Sequence, residues 1–308
     1  METERRITTL PDGRKIDVLV AGPSDGLPLV LHEGTPVGLV LYAPTVRAAS
    51  RRGLRVILAA RPGYEGSTPR PGRRVVDVAA DTAAVLDDLG AETFVTLGWS
   101  GGGPHTLACA AALPGRCLAA ASIAGVAPYN AEGLDWMAGM GPENVEEFGA
   151  ALRGETPLTE FLEGMAGVFG TLTGASVIES LGGLVIDADK AALTGEYADH
   201  VAAALKASLN SGIAGWRDDD LAFAQDWGFS LGWGTPKPAT PTPAAPVAVW
   251  QGDQDKMVPF AHGQWLAANI AGARVHLCPG EGHLSLTVTS FDQILDDLLD
   301  LAGLTPQI

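Results

Sequence analysis

The pentapeptide "GWSGG" at residues 98–102 has the residue types and spacing of a serine nucleophile. Glycines two positions before and after a serine permit a sharp turn between a strand and a helix, from which the hydroxyl projects. "TFVTL" before it is typical of a strand, and the alanine-rich stretch after it is typical of a helix. We therefore predict that Ser100 is a nucleophile rather than part of a flexible glycine-rich loop, and that Gly98 and Gly102 keep side chains out of the turn.

A second match to the same pattern, "GFSLG" at residues 228–232, serves as an internal comparison. A helix-like segment precedes it and a proline-rich stretch follows it, so no strand enters the turn and no helix leaves it. The pattern alone is weak, and its strand–turn–helix setting favours the first match.

A serine hydroxyl needs a base, and the chain has six histidines. His283, in "PGEGHLSL", follows the predicted strand "RVHLC" on a glycine-rich loop, at the sheet edge where sites of open α/β sheets gather. It is the predicted base. Of the other five, His276 is interpreted as a packing or surface residue, His32 as a lining residue, and His105 as facing away or capping locally, while His200 and His262 are placed in helices.

An acid must orient the base, and "VAVWQGDQDKMVP" places two aspartates directly after another predicted strand. Asp253 and Asp255 both qualify by position, and a loop aspartate is more commonly a turn former or a solvated charge. The residues alone leave the choice between them open.

The elements that would position these residues alternate between strands and helices. Short apolar strands before residue 128 and after residue 246 predict an α/β fold with a mostly parallel sheet covered by helices on both faces. Helices are expected at residues 37–52, 77–90 and 260–270, and in the "TLACAAALPG" stretch. Residues 129–235 instead contain five helix-like segments: 131–140, 142–154, 159–170, 188–210 and 215–229. We predict two parts of one core, 1–128 and 236–308, with a helical domain at 129–235 and the proline-rich connection "GTPKPATPTPAAP" after it.

The composition excludes several classes of protein. The 308 residues carry a net charge of −16, which argues against nucleic-acid binding. Three scattered cysteines form neither a disulfide framework nor a metal motif. The charged "METERRITTLPDG" is no signal peptide, and no apolar stretch is long enough for a membrane span. We expect a cytoplasmic monomer or homodimer with no metal, no cofactor and no membrane or nucleic-acid partner.

Five separated motifs together resemble the α/β-hydrolase superfamily, in the branch with an all-helical cap inserted after the sixth strand. "HEGTP" at 32–36 resembles the oxyanion loop H-G-x-P, and "RPGYEGS" at 61–67 resembles the (D/R)-x-G-x-G-x-S turn. "GWSGGG" resembles the nucleophile elbow, "GDQDKMVP" resembles G-x-x-D-x-x-V-P, and "GEGH" resembles G-x-G-H. The likeness extends over nearly the whole chain.

This resemblance implies a catalytic triad in the order Ser100, Asp255 and His283, with Asp255 favoured over Asp253. It implies oxyanion donors from the backbone N–H groups of Thr35 and Gly101. The residues then expected to contact substrate are Glu33, Trp99, Trp136 and Met140.

Two departures from the family pattern bear on the chemistry. Glu33 stands where the family usually has histidine, either as a surface charge or at the site entrance. Serine rather than aspartate at position 100 disfavours epoxide-hydrolase and haloalkane-dehalogenase chemistry.

The resemblance therefore implies cleavage of a carboxylic ester or lactone of a small-to-medium apolar substrate through an acyl-enzyme. The alternatives are peptidase, C–C bond or perhydrolase chemistry on the same triad, and a non-catalytic ligand-binding protein. Dinucleotide binding is disfavoured, because "GWSGGG" lacks the G-x-G-x-x-G spacing.

Overall fold

The computed structural model describes residues 3–230, 232 and 245–304. Its centre is one eight-stranded sheet in the order β1-β2-β4-β3-β5-β6-β7-β8. The strands are β1 Thr3–Thr9, β2 Lys15–Ala21, β3 Leu27–His32, β4 Leu54–Ala59, β5 Phe94–Trp99, β6 Cys117–Ile123, β7 Val247–Gly252 and β8 Arg274–Cys278. β2 pairs antiparallel with β1 and β4, and the remaining neighbours are parallel. The predicted mostly parallel sheet is confirmed.

Five helices cover the sheet: α1 Ala43–Ser50, α2 Asp77–Asp88, α3 Gly102–Ala112, α10 Phe260–Asn269 and α11 Ser285–Leu301. Buried residues of α1 and α11 share one apolar core with the sheet, and most of those of α2, α3 and α10 share the other. Because β3 to β6 are apolar on both faces, helices must cover both sides of the sheet. The helix predicted at 37–52 begins only at Ala43, with Pro44 in its first turn.

Between β6 and β7, every described regular element is helical. The α-helices there are α4 Pro142–Arg153, α5 Glu155–Phe169, α6 Val177–Leu181, α7 Asp187–Ala192, α8 Gly195–Ala207 and α9 Ala214–Phe223. We call α4–α9 the helical insertion. Its predicted limits, 129 and 235, stay a prediction. Residues 235 and 236, and the proline-rich connection up to residue 244, lie outside the described residues.

Two helix predictions within this region were wrong in detail. Residues 131–140 form turns rather than a helix, because Gly133 and Gly139 adopt positive φ values of 80° and 90°. The single segment predicted at 188–210 is two helices, α7 and α8, interrupted at Leu193 and Thr194.

Within the described ranges, no helix has both the length and the apolar character needed to cross a bilayer.

Candidate active site

Ser100 lies on the turn that joins β5 to α3. Its φ of 55° is a left-handed conformation, which costs a non-glycine residue on the order of 1–3 kcal/mol. The Ser100 N–H donates to the Ile123 carbonyl, and the Ser100 carbonyl accepts from the Gly103 N–H, both at 2.9 Å. Hydrogen bonds to β6 and within the turn thus hold a strained residue at the carboxyl edge of the sheet.

The glycines around Ser100 are required by close packing. A Cβ on Gly98 would collide with the Gly102 carbonyl, and a Cβ on Gly102 would collide with the His32 carbonyl. The sequence suggests no role for Gly103. In the structure a Cβ at this position would lie only 2.7 Å from Gly125 Cα, so a side chain is excluded there too. Gly103 therefore allows α3 to approach the chain that leaves β6.

A hydrogen bond joins His283 to Asp255. His283 Nδ1 lies 2.8 Å from Asp255 Oδ2, and both residues are buried. Asp255 Oδ1 accepts from the backbone N–H groups of Met257 and Val258 at 2.8 and 2.9 Å, and Gln251 donates to Oδ2 at 3.1 Å. These donors fix the carboxylate, which in turn orients the imidazole and leaves His283 Nε2 as the atom that can accept a proton.

Trp99 brings His283 beside the serine turn. The Trp99 and His283 rings lie 5.1 Å apart between centroids, and Trp99 Nε1 donates to the His283 carbonyl at 3.2 Å. Among the described residues, no hydrogen bond joins Ser100 Oγ to His283 Nε2. Such bonds are often long in ligand-free enzymes and shorten when substrate binds.

Thr35 and Gly101 lie close to each other beside Ser100. A Cβ built on Gly101 would lie 2.6 Å from Thr35 Oγ1. Neither backbone N–H donates to another residue in the part of the chain that the structure describes. Two free N–H groups beside a serine are suited to stabilise an oxyanion.

A buried ion cluster attaches the loop after β3, residues 33–35, to the helical insertion. We call this segment the Thr35 loop. Asp219 of α9 accepts from Arg61 and Arg73 at 2.7 Å, and from the hydroxyls of Tyr64 and Thr35 at 3.0 Å. Burial alone would raise the pKa of Asp219, but the charges of Arg61 and Arg73 hold it well below its ordinary value. The carboxyl is therefore ionised at neutral pH.

Arg61 also fixes the Thr35 loop directly. Its guanidinium donates to the Glu33 and Gly34 carbonyls at 2.7 and 2.8 Å and to Thr35 Oγ1 at 3.0 Å. The fork of donors that only arginine provides therefore positions three consecutive residues of the loop.

A second aspartate of the insertion holds the loop that carries His283. Asp189 of α7 is fully buried and accepts from the Leu284 and Ser285 N–H groups at 2.8 and 2.9 Å. These groups lie at the N-terminus of α11, where a carboxylate is favourable. Neither Asp189 nor Asp219 is predicted as a site residue from the sequence, because buried partners distant in sequence leave no local pattern.

Two cavities adjoin the serine turn. The larger measures about 340 Å³ and is lined by Trp99 and Glu33. Apolar and aromatic side chains form much of its wall, including those of Leu31, Tyr42, Leu97, Tyr197 and Phe291. The smaller, about 40 Å³, is lined by Ser100, Thr35 and Gly101 together with residues of the insertion.

Glu33 is half-buried at the wall of the larger cavity. Burial raises its pKa from 4.5 to about 7, against the opposing charge of Arg61. Its carboxyl accepts no hydrogen bond from any described residue, although its backbone carbonyl is held by Arg61. Glu33 is therefore a cavity residue and not the surface charge that was one of its two interpretations.

Trp136 and Met140 line neither of these cavities in the described structure. Trp136 is buried, packs edge-on against Phe148 and donates from Nε1 to the Ala127 carbonyl at 2.7 Å. Met140 belongs to the same apolar core. The structure brings Trp99 and Glu33 to the site and places Trp136 and Met140 in packing positions.

Two of the remaining histidines, His262 and His276, have structural partners. His262 accepts from the Ala127 N–H and contacts the Trp136 carbonyl at 2.7 Å, while His276 stacks on Trp250 with centroids 3.8 Å apart. His32 and His200 line the larger cavity. Within the described residues, no group of three or more His, Cys, Asp or Glu side chains is arranged to hold a metal ion.

The order of the eight strands, with a serine on the turn after the fifth, defines the α/β-hydrolase fold. Residues 28–288 match the family model described as alpha/beta hydrolase fold, and the chain belongs to this family.

Relatives within the family carry different names. The chain is 34% identical over 146 residues to the non-heme chloroperoxidase of Streptomyces lividans. These 146 residues make up 47% of this chain and 53% of that protein. The chain thus spans about half the length of this curated relative. An α/β-hydrolase fold protein from Nakamurella multipartita has a TM-score of 0.64 at 25% identity, over 97% of this chain and 100% of the other. The enol-lactonase of Burkholderia xenovorans has a TM-score of 0.64 at 19% identity, over 96% and 100% of the two chains, and shares the fold.

Proposed function

We propose that this protein is a serine hydrolase that cleaves a carboxylic ester or lactone of a small-to-medium apolar substrate through an acyl-enzyme. One observation carries the proposal. Ser100, Asp255 and His283 follow β5, β7 and β8 at one edge of the sheet, with Asp255 on His283 Nδ1 at 2.8 Å. This leaves Nε2 of a buried imidazole as the base beside a strained serine.

The proposed reaction begins when His283 Nε2 takes the Ser100 hydroxyl proton and Ser100 Oγ attacks the substrate carbonyl. The N–H groups of Thr35 and Gly101 stabilise the oxyanion, and losing one such donor costs about 10²–10³ in rate. The intermediate then collapses, and the alcohol leaves with the proton held by His283. Water, deprotonated by His283, finally releases the acid from Ser100.

The larger cavity supports the apolar substrate class. Its volume of about 340 Å³ lies within the range of small-molecule pockets, and its wall is largely apolar and aromatic. Trp99 lines this cavity and Ser100, the next residue, lines the smaller one. An apolar group bound against Trp99 therefore lies next to the nucleophile.

The test is labelling with a fluorophosphonate, read as intact mass and then by peptide mapping. We expect one label per chain on Ser100, together with turnover of nitrophenyl esters or lactones. Ser100→Ala should abolish both. Ser230→Ala, in the second G-x-S-x-G match, is the matched control and should retain both. A label on another residue, or normal turnover by Ser100→Ala, would falsify the proposal.

A second candidate is perhydrolysis, favoured by the relative named non-heme chloroperoxidase. In that reaction hydrogen peroxide replaces water as the acceptor, and attack on the acyl-Ser100 ester gives a peracid and regenerates the serine. Peracid formation from acetate and peroxide, faster than ester hydrolysis and lost in Ser100→Ala, would favour this candidate.

A further inference from the structure

Two carboxylic acids of the helical insertion line the small cavity that contains Ser100. Glu147 belongs to α4 and Asp220 to α9. Both line the 40 Å³ space together with Ser100, Thr35 and Gly101. The proposed mechanism uses neither acid. Burying a carboxylate costs free energy unless a partner compensates its charge.

No cation of the described chain neutralises this pair. Asp220 is 1% exposed, and its Oδ2 accepts no hydrogen bond in the described structure. Glu147 Oε1 accepts from the neutral Trp216 indole at 2.6 Å. Arg73, whose charge acts on Asp220, donates instead to Asp219 at 2.7 Å and to the Gly215 carbonyl at 3.0 Å.

Burial raises the pKa of both acids, and the neighbouring Glu147 charge raises that of Asp220 further. The charge of Asp219 also raises the pKa of Asp220, and the charge of Arg73 lowers it. A hydrogen bond between the two carboxyl groups also raises the pKa of Asp220 and lowers that of Glu147. A positive group in the cavity would remove the cost of ionising two adjacent acids.

The other walls of the cavity limit the size of its occupant. Phe148, Phe223, Val126 and Val258 are apolar, and the volume of about 40 Å³ admits only a few non-hydrogen atoms. The net charge of −16 also attracts cations rather than anions.

We propose that Glu147 and Asp220 bind the ammonium group of the substrate, so that the substrate is an ester whose acyl part carries an amine close to the scissile carbonyl. This inference rests on the proposed function, because it uses Ser100 as the nucleophile. The small amino-bearing acyl part occupies the Ser100 cavity, and the apolar remainder lies against Trp99 in the larger one.

The test compares two esters that differ only by the amine, alanine benzyl ester and benzyl propionate, with benzyl alcohol measured as the product. We expect the wild type to show at least about tenfold higher kcat/KM on alanine benzyl ester, since a site built for a polar group discriminates against analogues that lack it. Asp220→Asn and Glu147→Gln should lose most of this preference. Glu146→Gln, an exposed neighbour on the same helix, is the matched control and should keep it.

A second measurement needs no variant. Propylammonium should protect wild-type Ser100 from fluorophosphonate labelling, and propan-1-ol at the same concentration should not. Equal or faster hydrolysis of benzyl propionate, or equal protection by the two additives, overturns the ammonium site while the hydrolase function stands. Failure to hydrolyse any ester and to label Ser100 overturns both.

Discussion

The hydroxyl of Thr35 donates to Asp219 Oδ2 at 3.0 Å and so connects the loop beside Ser100 to helix α9. The same hydroxyl accepts from Arg61 at 3.0 Å. A residue expected to serve only through its backbone N–H therefore also joins a buried ion cluster. The position of the Thr35 N–H, the proposed oxyanion donor, therefore depends on a charge in the helical insertion.

Asp219→Asn should lower the free energy of unfolding by about 3–5 kcal/mol, because it leaves Arg61 and Arg73 buried without their shared carboxylate. Urea denaturation at neutral pH measures this loss. Asp226→Asn is the control, since the Asp226 side chain is 75% exposed and 3.8 Å from Arg74, and it should change the value by less than about 0.5 kcal/mol. Equal effects of the two substitutions would contradict the role given to the cluster.

Asp255→Asn should lower kcat on a good ester by about 10³–10⁴, because the amide favours the wrong imidazole tautomer of His283. Asp253→Asn is the matched control. Asp253 is partly exposed and accepts from the Gly280 N–H at 2.8 Å rather than from a histidine. Its substitution should leave kcat within about threefold. A larger loss in Asp253→Asn than in Asp255→Asn would reassign the acid.

Val201→Phe should raise the KM for long-chain nitrophenyl esters, because Val201 lines the larger cavity and the added ring reduces its volume. Nitrophenyl acetate should be affected much less. Steady-state kinetics on acetate, butyrate and octanoate esters measures the difference. Val145→Phe, at an exposed position, is the control. A uniform effect on all three chain lengths would show that the apolar group binds elsewhere.

Glu33 makes stability depend on pH. Its folded pKa of about 7 is above the ordinary 4.5, so its contribution to folding is complete below pH 4.5 and is lost as pH rises through 7. The free energy of unfolding of the wild type, relative to Glu33→Gln, should fall by on the order of 2 kcal/mol between pH 5 and pH 8. Urea titrations of both proteins at the two pH values test this; a constant difference argues against a raised pKa of Glu33.

Local patterns were sufficient to predict the sheet and the positions of Ser100 and His283. Strand alternation and the glycines at 98 and 102 depend on neighbours a few residues apart, and such restraints are visible in a sequence. The choice of Asp255 over Asp253 needed the family motif, because both aspartates follow the same strand. The roles of these residues in catalysis stay predictions.

Other features depended on contacts across the chain. "GWRDDDLAFAQDWGF" predicts a helix, but its three consecutive aspartates resemble solvated charges in sequence. In the fold, Asp218, Asp219 and Asp220 are all buried, and Asp219 and Asp220 belong to two different sites. Trp136 and Met140 were misleading for a related reason, since an aromatic or methionine side chain packs equally well in a core or against a ligand.

Asp189 and Asp219 limit how hydrolases of this kind can be recombined. One holds the start of α11 after His283, and the other holds the Thr35 loop through Arg61. A segment without these two carboxylates, exchanged for α4–α9, would leave Arg61 and Arg73 buried without a counter-charge. The insertion and the core therefore depend on each other, and a chimaera needs both aspartates before it can exchange substrate preference.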